Sequence, residues 1–299
     1  MSKQTINYDH LYKFREVNTL SLTNLANTSL WFAKLSSFND PFEGCYDKEK
    51  ALKEITTAKC IDFARKSLLS EHDNIPEDTL SNMITNAFIK KGEQEFIKEQ
   101  KGVMEAILDD MLNHIHENYG FLSLSSDVPS EKKEFAYINS NIANLHMWSL
   151  YADGLRGFCI RFNAEKLYES LQEKNPEDTF FRTPVRYDYI PPTPRLADKG
   201  EPFVFDIESI LEIMNSKHEI FLNEVEYRIS STSSGVKYFS PDCVEEIFIG
   251  DKMPKDQINL LLLIIKQKYP DTKITRIKNH PNQYGVFPVP FNTDELNKI

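Results

Sequence analysis

The sequence predicts a mixed α+β fold, with a mainly antiparallel sheet core, flanking helices and an inserted helical lobe. Three observations carry this. Strand-like alternation recurs in short stretches scattered along the 299 residues rather than alternating regularly with helices, which argues against a doubly wound parallel sheet. Between about residues 47 and 118 turn residues become rare and apolar positions take helical spacing. A composition of 40% apolar and 12% aromatic residues is ample for a packed core. The expected organisation is a single α+β domain over residues 1–299, with residues 48–118 as an inserted helical subdomain.

Taken in order, residues 10–16 are short and roughly alternating and read as a first strand. Leu22 and Leu25 give the next segment an apolar side, with Thr19 or Ser21 as its cap, and Leu30 to Ala33 read as a strand. "SSFNDPFEG" is a structured loop: Asn and Asp fold back onto nearby backbone, and Pro41 keeps Asp40 out of helical geometry. Three helices are expected from "ALKEITTAKCIDFARKSLL", "DTLSNMITNAFIKK" and "EFIKEQKGVMEAILDDMLNHIHENY". "GFLSLSS", Gly120 to Ser126, returns to strand. "ANLHMWSLYADGLRGFCIRF" reads as a short helix, a turn punctuated by Gly154 and Gly157, and a strand from Phe158 to Phe162. "TFFRTPVRYDYI" is one further strand, "PPTPRLADKGEP" a Pro-rich surface loop, and Asp206 to Leu222 a helix. "NEVEYRIS" opens a strand of period two. "CVEEIFIG", a helix over "KDQINLLLLIIKQKY" and "TKITRIK" make a strand–helix–strand ending. "YGVFPVPF" is a last strand, which Pro288 and Pro290 mark as an edge.

A formal net charge of −10 disfavours sequence-blind grip on a phosphate backbone, which needs clustered Lys and Arg. Cys45, Cys60, Cys159 and Cys243 form no CxxC pair and read as free thiols in a reducing compartment. The longest aliphatic run, Ile258 to Ile265, is far shorter than the ~20 residues of a membrane span. The opening residues lack the apolar stretch of a secretion signal. The expected location is cytoplasmic, with no membrane partner.

Several strings occur together in one order: "LYKFRE", "SLWFAKLSSFNDPFEG", "GFLSLSS", "MWSLYADGLRGFCIRF", "EVEYRI" and "VEEIFIG". Their combination resembles the bacterial domain-of-unknown-function family 2971, from Leu11 to about Gly250. The resemblance leaves activity open. It suggests a setting in mobile elements, phage defence or toxin action.

Four constellations could carry chemistry. On a strand, Lys13 and Arg15 share a face, which suits either a clasp on phosphate or ribose or an exposed surface pair. Glu224, Glu226 and Arg228 would likewise share a face, with the carboxylates about 6–7 Å apart by the rise per residue. That spacing allows two carboxylates to divide catalytic labour, or makes an exposed ladder of little consequence. Trp148 and Tyr151, three apart on a helix, either stack on a flat ring or belong to the core. Asn39 and Asp40 either serve the turn alone or point into a site. His114, His116 and His146 have no metal spacing, and no metal is expected.

GxGxxG, Walker A, HExxH and GxSxG patterns are missing, which removes the folds and chemistries that rely on them. Two readings from different classes are carried forward. One rests on a resemblance, in outline only, to ADP-ribosyltransferases; it implies NAD as co-substrate, Glu226 and Glu224 as catalytic candidates, and Lys13, Arg15, Asn39, Trp148 and Tyr151 as candidates to bind the nucleotide. The other is a non-enzymatic sensor or module that binds a protein partner.

Overall fold

The computed structural model describes residues 8–71, 75–127, 141–197 and 204–291. The chain divides into two compact units. The first takes residues up to 37, 118–185 and those from 219 onward; the second takes 38–117 and 186–218. In chain order the elements begin with β1 (His10–Arg15), α1 (Thr19–Ala26), β2 (Ser29–Phe32), α2 (Lys48–Lys53), α3 (Thr57–Glu71), α4 (Glu77–Lys91) and α5 (Glu93–Asn118). Then come β3 (Gly120–Ser126), α6 (Leu145–Tyr151), β4 (Phe158–Asn163), α7 (Ala164–Lys174), β5 (Phe180–Pro184), β6 (Arg186–Asp188), α8 (Ile207–Met214) and β7 (Ser216–His218). The last are β8 (Glu226–Ser231), β9 (Gly235–Tyr238), β10 (Val244–Gly250), α9 (Lys255–Lys268), β11 (Lys273–Asn279) and β12 (Val286–Pro290).

The first unit is built on an eight-stranded sheet in the order β12-β11-β10-β4-β1-β3-β8-β5. All its pairings are antiparallel except β10–β11, the pair joined through α9. The expected α+β class with a mainly antiparallel sheet is therefore the observed one. Period-two alternation sorts the strands onto two sides. Leu11, Leu124, Phe158, Ile160, Phe162, Ile247 and Ile249 join α7 and α9 residues in the larger core. Tyr12, Phe14, Cys159, Phe248 and Ile277 face the other way and pack with Met147 and Trp148 of α6. β12 lies at the sheet edge, where its prolines leave no ladder donor unpaired.

Local details depart from expectation where side chains compete for the backbone. Asn18, not Thr19 or Ser21, caps α1: its Oδ1 accepts from Ser21 N at 2.8 Å, and Ser21 Oγ accepts from Asn18 N at 3.1 Å. β9 pairs with β2 in a separate two-stranded ribbon that the sequence reading missed. The turn after α6 runs through Asp153, Gly154 and Leu155 with φ of 46°, 59° and 73°. Gly157 follows it, and a Cβ there would lie 2.1 Å from the Arg15 carbonyl oxygen. Only glycine lets this turn close on the end of β1.

The second unit contains α2 to α5, α8 and the parallel pair β6–β7. Four helices occupy the span where three were expected, because the first breaks between α2 and α3. "TFFRTPVRYDYI" is likewise not one strand: β5 and β6 fall in different units. The helix expected from Asp206 to Leu222 stops at Met214, where Asn215 closes it and the chain turns extended. Residues 198–203 of the Pro-rich loop lie outside the described residues. Among the described residues no helix is long and apolar enough to cross a membrane. The four cysteines are free.

Candidate functional site

Charge is expensive to bury, so its concentration in a core marks a place worth testing for function. In the first unit one such place is the end of β8. Glu224, Glu226 and Arg228 are all buried, Arg228 completely. Glu226 Oε1 accepts from both Nε and Nη2 of Arg228, at 2.9 and 2.8 Å. The expected strand geometry holds for Glu226 and Arg228, which share a side with Ser125 and Ser123 of β3 by register. It fails for Glu224. Val225 adopts φ of 46°, left-handed and unfavourable for a β-branched residue, and breaks the alternation. Glu224 therefore ends a 3₁₀ turn instead of joining the strand.

Hydrogen bonds hold this break in place. The Val225 carbonyl accepts from Ser126 N at 2.9 Å and Ser126 Oγ at 3.1 Å. The Glu224 carbonyl accepts from Ser125 Oγ and from Asn141 Nδ2. The Glu224 side chain turns to α6, where Tyr151 OH donates to its Oε1 at 2.7 Å. Tyr151, three residues beyond Trp148 on α6, is thus joined to Glu224.

Lys13 and Arg15 do not form an exposed surface pair. β1 follows β4 over six residue pairs but meets β3 at only two, Leu11↔Ser126 and Tyr12↔Ser125. The two strands part beyond Tyr12, and the Lys13 ammonium crosses to the Ser123 carbonyl. Burial, then the Arg15 charge, pushes the Lys13 amine down to about 7, while Glu226 opposes the shift. An amine so enclosed and so engaged cannot grip a phosphate as expected. Arg15 differs: it too is largely enclosed, and burial lowers its pKa. Yet no hydrogen bond or ion pair engages its guanidinium among the described residues.

The remaining expected binding residues separate. Trp148 is core: it is 0% exposed, its indole N–H donates to the Ile142 carbonyl at 2.7 Å, and Phe14 meets it edge-on at 5.3 Å. Its ring has no open face for a ligand. Asn39 is exposed in the second unit, whereas neighbouring Asp40 is buried and accepts from Phe42 N at 2.9 Å, as a turn residue does. Among the described residues no three His, Cys, Asp or Glu side chains are grouped to hold a metal.

Ser125 and Asn141 were missed as site residues. The alternating serines of "GFLSLSS" were a legible signal for a polar strand side; Asn141 had none, since its role depends on a contact across 83 residues of chain.

Residues 147–229 match the family model described as Protein of unknown function (DUF2971). The resemblance read from the motifs is thus supported over this segment. No curated protein and no solved structure matches the chain. The matched segment begins at Met147 in α6 and ends at Ile229 in β8, so it spans both partners of the Tyr151–Glu224 hydrogen bond and the Glu226–Arg228 pair.

Proposed function

We propose that this chain is an NAD-cleaving, ADP-ribosyltransferase-like enzyme of the cytoplasm, acting through Glu226 and Glu224. The observation that carries the reading is the concentration of buried carboxylates, Glu224 and Glu226, in the unit that also holds Arg15. Arg15 offers its planar fork to a phosphate, and the carboxylates offer negative charge where a sugar carbon becomes cationic.

In the reaction, the bond from the ribose anomeric carbon to nicotinamide breaks. Its electron pair leaves with the ring nitrogen and neutralises the pyridinium. The carbon gains oxocarbenium character, as in glycoside cleavage, and Glu226 stabilises it. An acceptor hydroxyl or water then bonds to that carbon and passes its proton to Glu224. Tyr151 orients Glu224 for this, and the two Arg228 N–H groups aim Glu226. No metal is required by these steps.

Nicotinamide release by the full chain tests the reading. Arg15→Ala should raise KM for NAD with little change in kcat, since it removes binding shared by ground and transition states. Glu226→Gln should lower kcat by about 10²–10³. Its folding must be measured beside it, because Glu226 is buried with Arg228 and not in a surface pair. Wild-type chain that releases no nicotinamide under any acceptor supply would reject the enzyme.

A protein-interaction module is the second reading, favoured by the β2–β9 ribbon. Trp31 pairs with Val236, and these two with Tyr238 are 45%, 43% and 52% exposed. Apolar exposure of this kind suits a protein partner. Placement in phage defence, toxin action or a mobile element rests on the family resemblance alone.

A further inference from the structure

We propose that Lys13 is a positioning residue for Glu226 and Arg15, acting from the gap where β1 leaves β3, and not a ligand-gripping one. The inference deepens the enzyme reading and rests on it for the catalytic consequence.

The geometry sets the role. β1 is fully laddered to β4 on one side, but its ladder to β3 ends at Tyr12↔Ser125. Beyond that point Lys13 supplies the link, its Nζ donating to the Ser123 carbonyl. Ser123 stands opposite Arg228 in the β3–β8 register, so the link reaches the strand that flanks the ion pair. Arg15 lies two residues further along the parted edge of β1. Lys13 thereby spaces the strand that carries Arg15 from β3 and, beyond it, the strand that carries Glu226.

The groups facing the amine come from every neighbouring element. They are Arg15 on β1, Cys159 on β4, the Ser123 carbonyl on β3 and Glu226 on β8, with Arg228 bound to Glu226. Burial and Arg15 drive the amine toward its neutral form, to about 7, and Glu226 and Cys159 pull the other way. A neutral amine still donates an N–H to Ser123 and still holds the gap. It does so without a second cation beside the carboxylate that must stabilise a developing positive charge. The neutral form is therefore the active one.

Two readouts test this on the full chain. In protein labelled with ¹³C at lysine Cε, one resonance should titrate near 7 and be absent from Lys13→Arg. In Glu226→Gln the same midpoint should fall, because a carboxylate that favours the charged amine has gone. If that variant does not fold, Glu226→Asp, which draws the same charge back by one methylene, carries the measurement with a smaller fall. With NAD as the probe, wild-type kcat should rise on the order of tenfold as pH passes through about 7. Lys13→Arg, permanently charged, should stay at the low level throughout. Lysine resonances that all titrate above ~9, a midpoint unmoved by loss of Glu226, or the same kcat rise in Lys13→Arg would each overturn the proposal. A wild-type chain with no nicotinamide release sinks the catalytic reading and the kcat arm with it, and the resonance arm then decides whether Lys13 and Glu226 are coupled.

Discussion

Substituting Arg228 by Met removes one partner of a fully enclosed ion pair and nearly preserves volume. Glu226 Oε1 then loses two N–H donors, at 2.9 and 2.8 Å, in a place where it is 5% exposed. Breaking a buried pair in this way costs about 3–5 kcal/mol, against about 0–1 kcal/mol for an exposed pair. Loss of the adjacent cation from a buried carboxyl favours its protonated form, so its pKa in the folded variant rises above the unfolded value of ~4.3. Between those two values the folded variant binds more protons than the unfolded one, and stability falls as pH rises. The deficit against wild type should thus be smaller at pH 5 than at pH 7. Glu226→Gln/Arg228→Met, which removes both charges, should recover most of the loss. Urea unfolding followed by circular dichroism at both pH values, on wild type, the two single variants and the double, completes the cycle. A single-variant loss below ~1 kcal/mol, or a double variant worse than the sum of its parts, would refute the claim that burial makes this pair interdependent.

Three further outcomes follow from the same structure. Lys13 sheds its proton at about 7 when folded, against 10.5 unfolded, so the unfolded chain binds more protons between those values and stability gains about 1.4 kcal/mol per pH unit from this residue. Lys13→Met should remove that gain, and equal slopes of unfolding free energy against pH in the two proteins would contradict it. Val225→Gly should fall within about 1 kcal/mol of wild type, because relief of a left-handed β-branched residue offsets the entropy of glycine; a denaturant-measured loss above ~2 kcal/mol would show that φ of 46° is not strained here. Gly157→Ala should cost more than ~2 kcal/mol and disturb Arg15, since the new Cβ would meet the Arg15 carbonyl oxygen at 2.1 Å; a thermal melt matching wild type would dismiss that close approach.

Much of the fold was legible because periodicity is local. The alternation in "LYKFR", "FCIRF" and "EEIFIG" sorted side chains onto the two sides of one sheet, and the 3.6-residue spacing between about 47 and 118 marked helices. Elements went astray where a neighbour distant in sequence set the conformation. β9 exists because β2 pairs with it, and "TFFRTPVRYDYI" divides because β5 and β6 join different partners.

For the candidate site, residue type and strand phase were enough to bring Glu226 and Arg228 to one side, and tertiary structure decided the rest. Glu224 left that side because Val225 turned left-handed, a strain held by Ser126 on another strand. Lys13 and Arg15 looked alike from their spacing. Only the parting of β1 from β3 engaged the Lys13 amine on the Ser123 carbonyl and set it apart from Arg15. Trp148, equally able to line a pocket by its position on α6, was drawn into the core by Phe14 and the Ile142 carbonyl. Periodicity depends on the backbone of a single segment and is written in its own residues. Burial and ion pairing depend on which segments meet, and those contacts exist only in the folded chain.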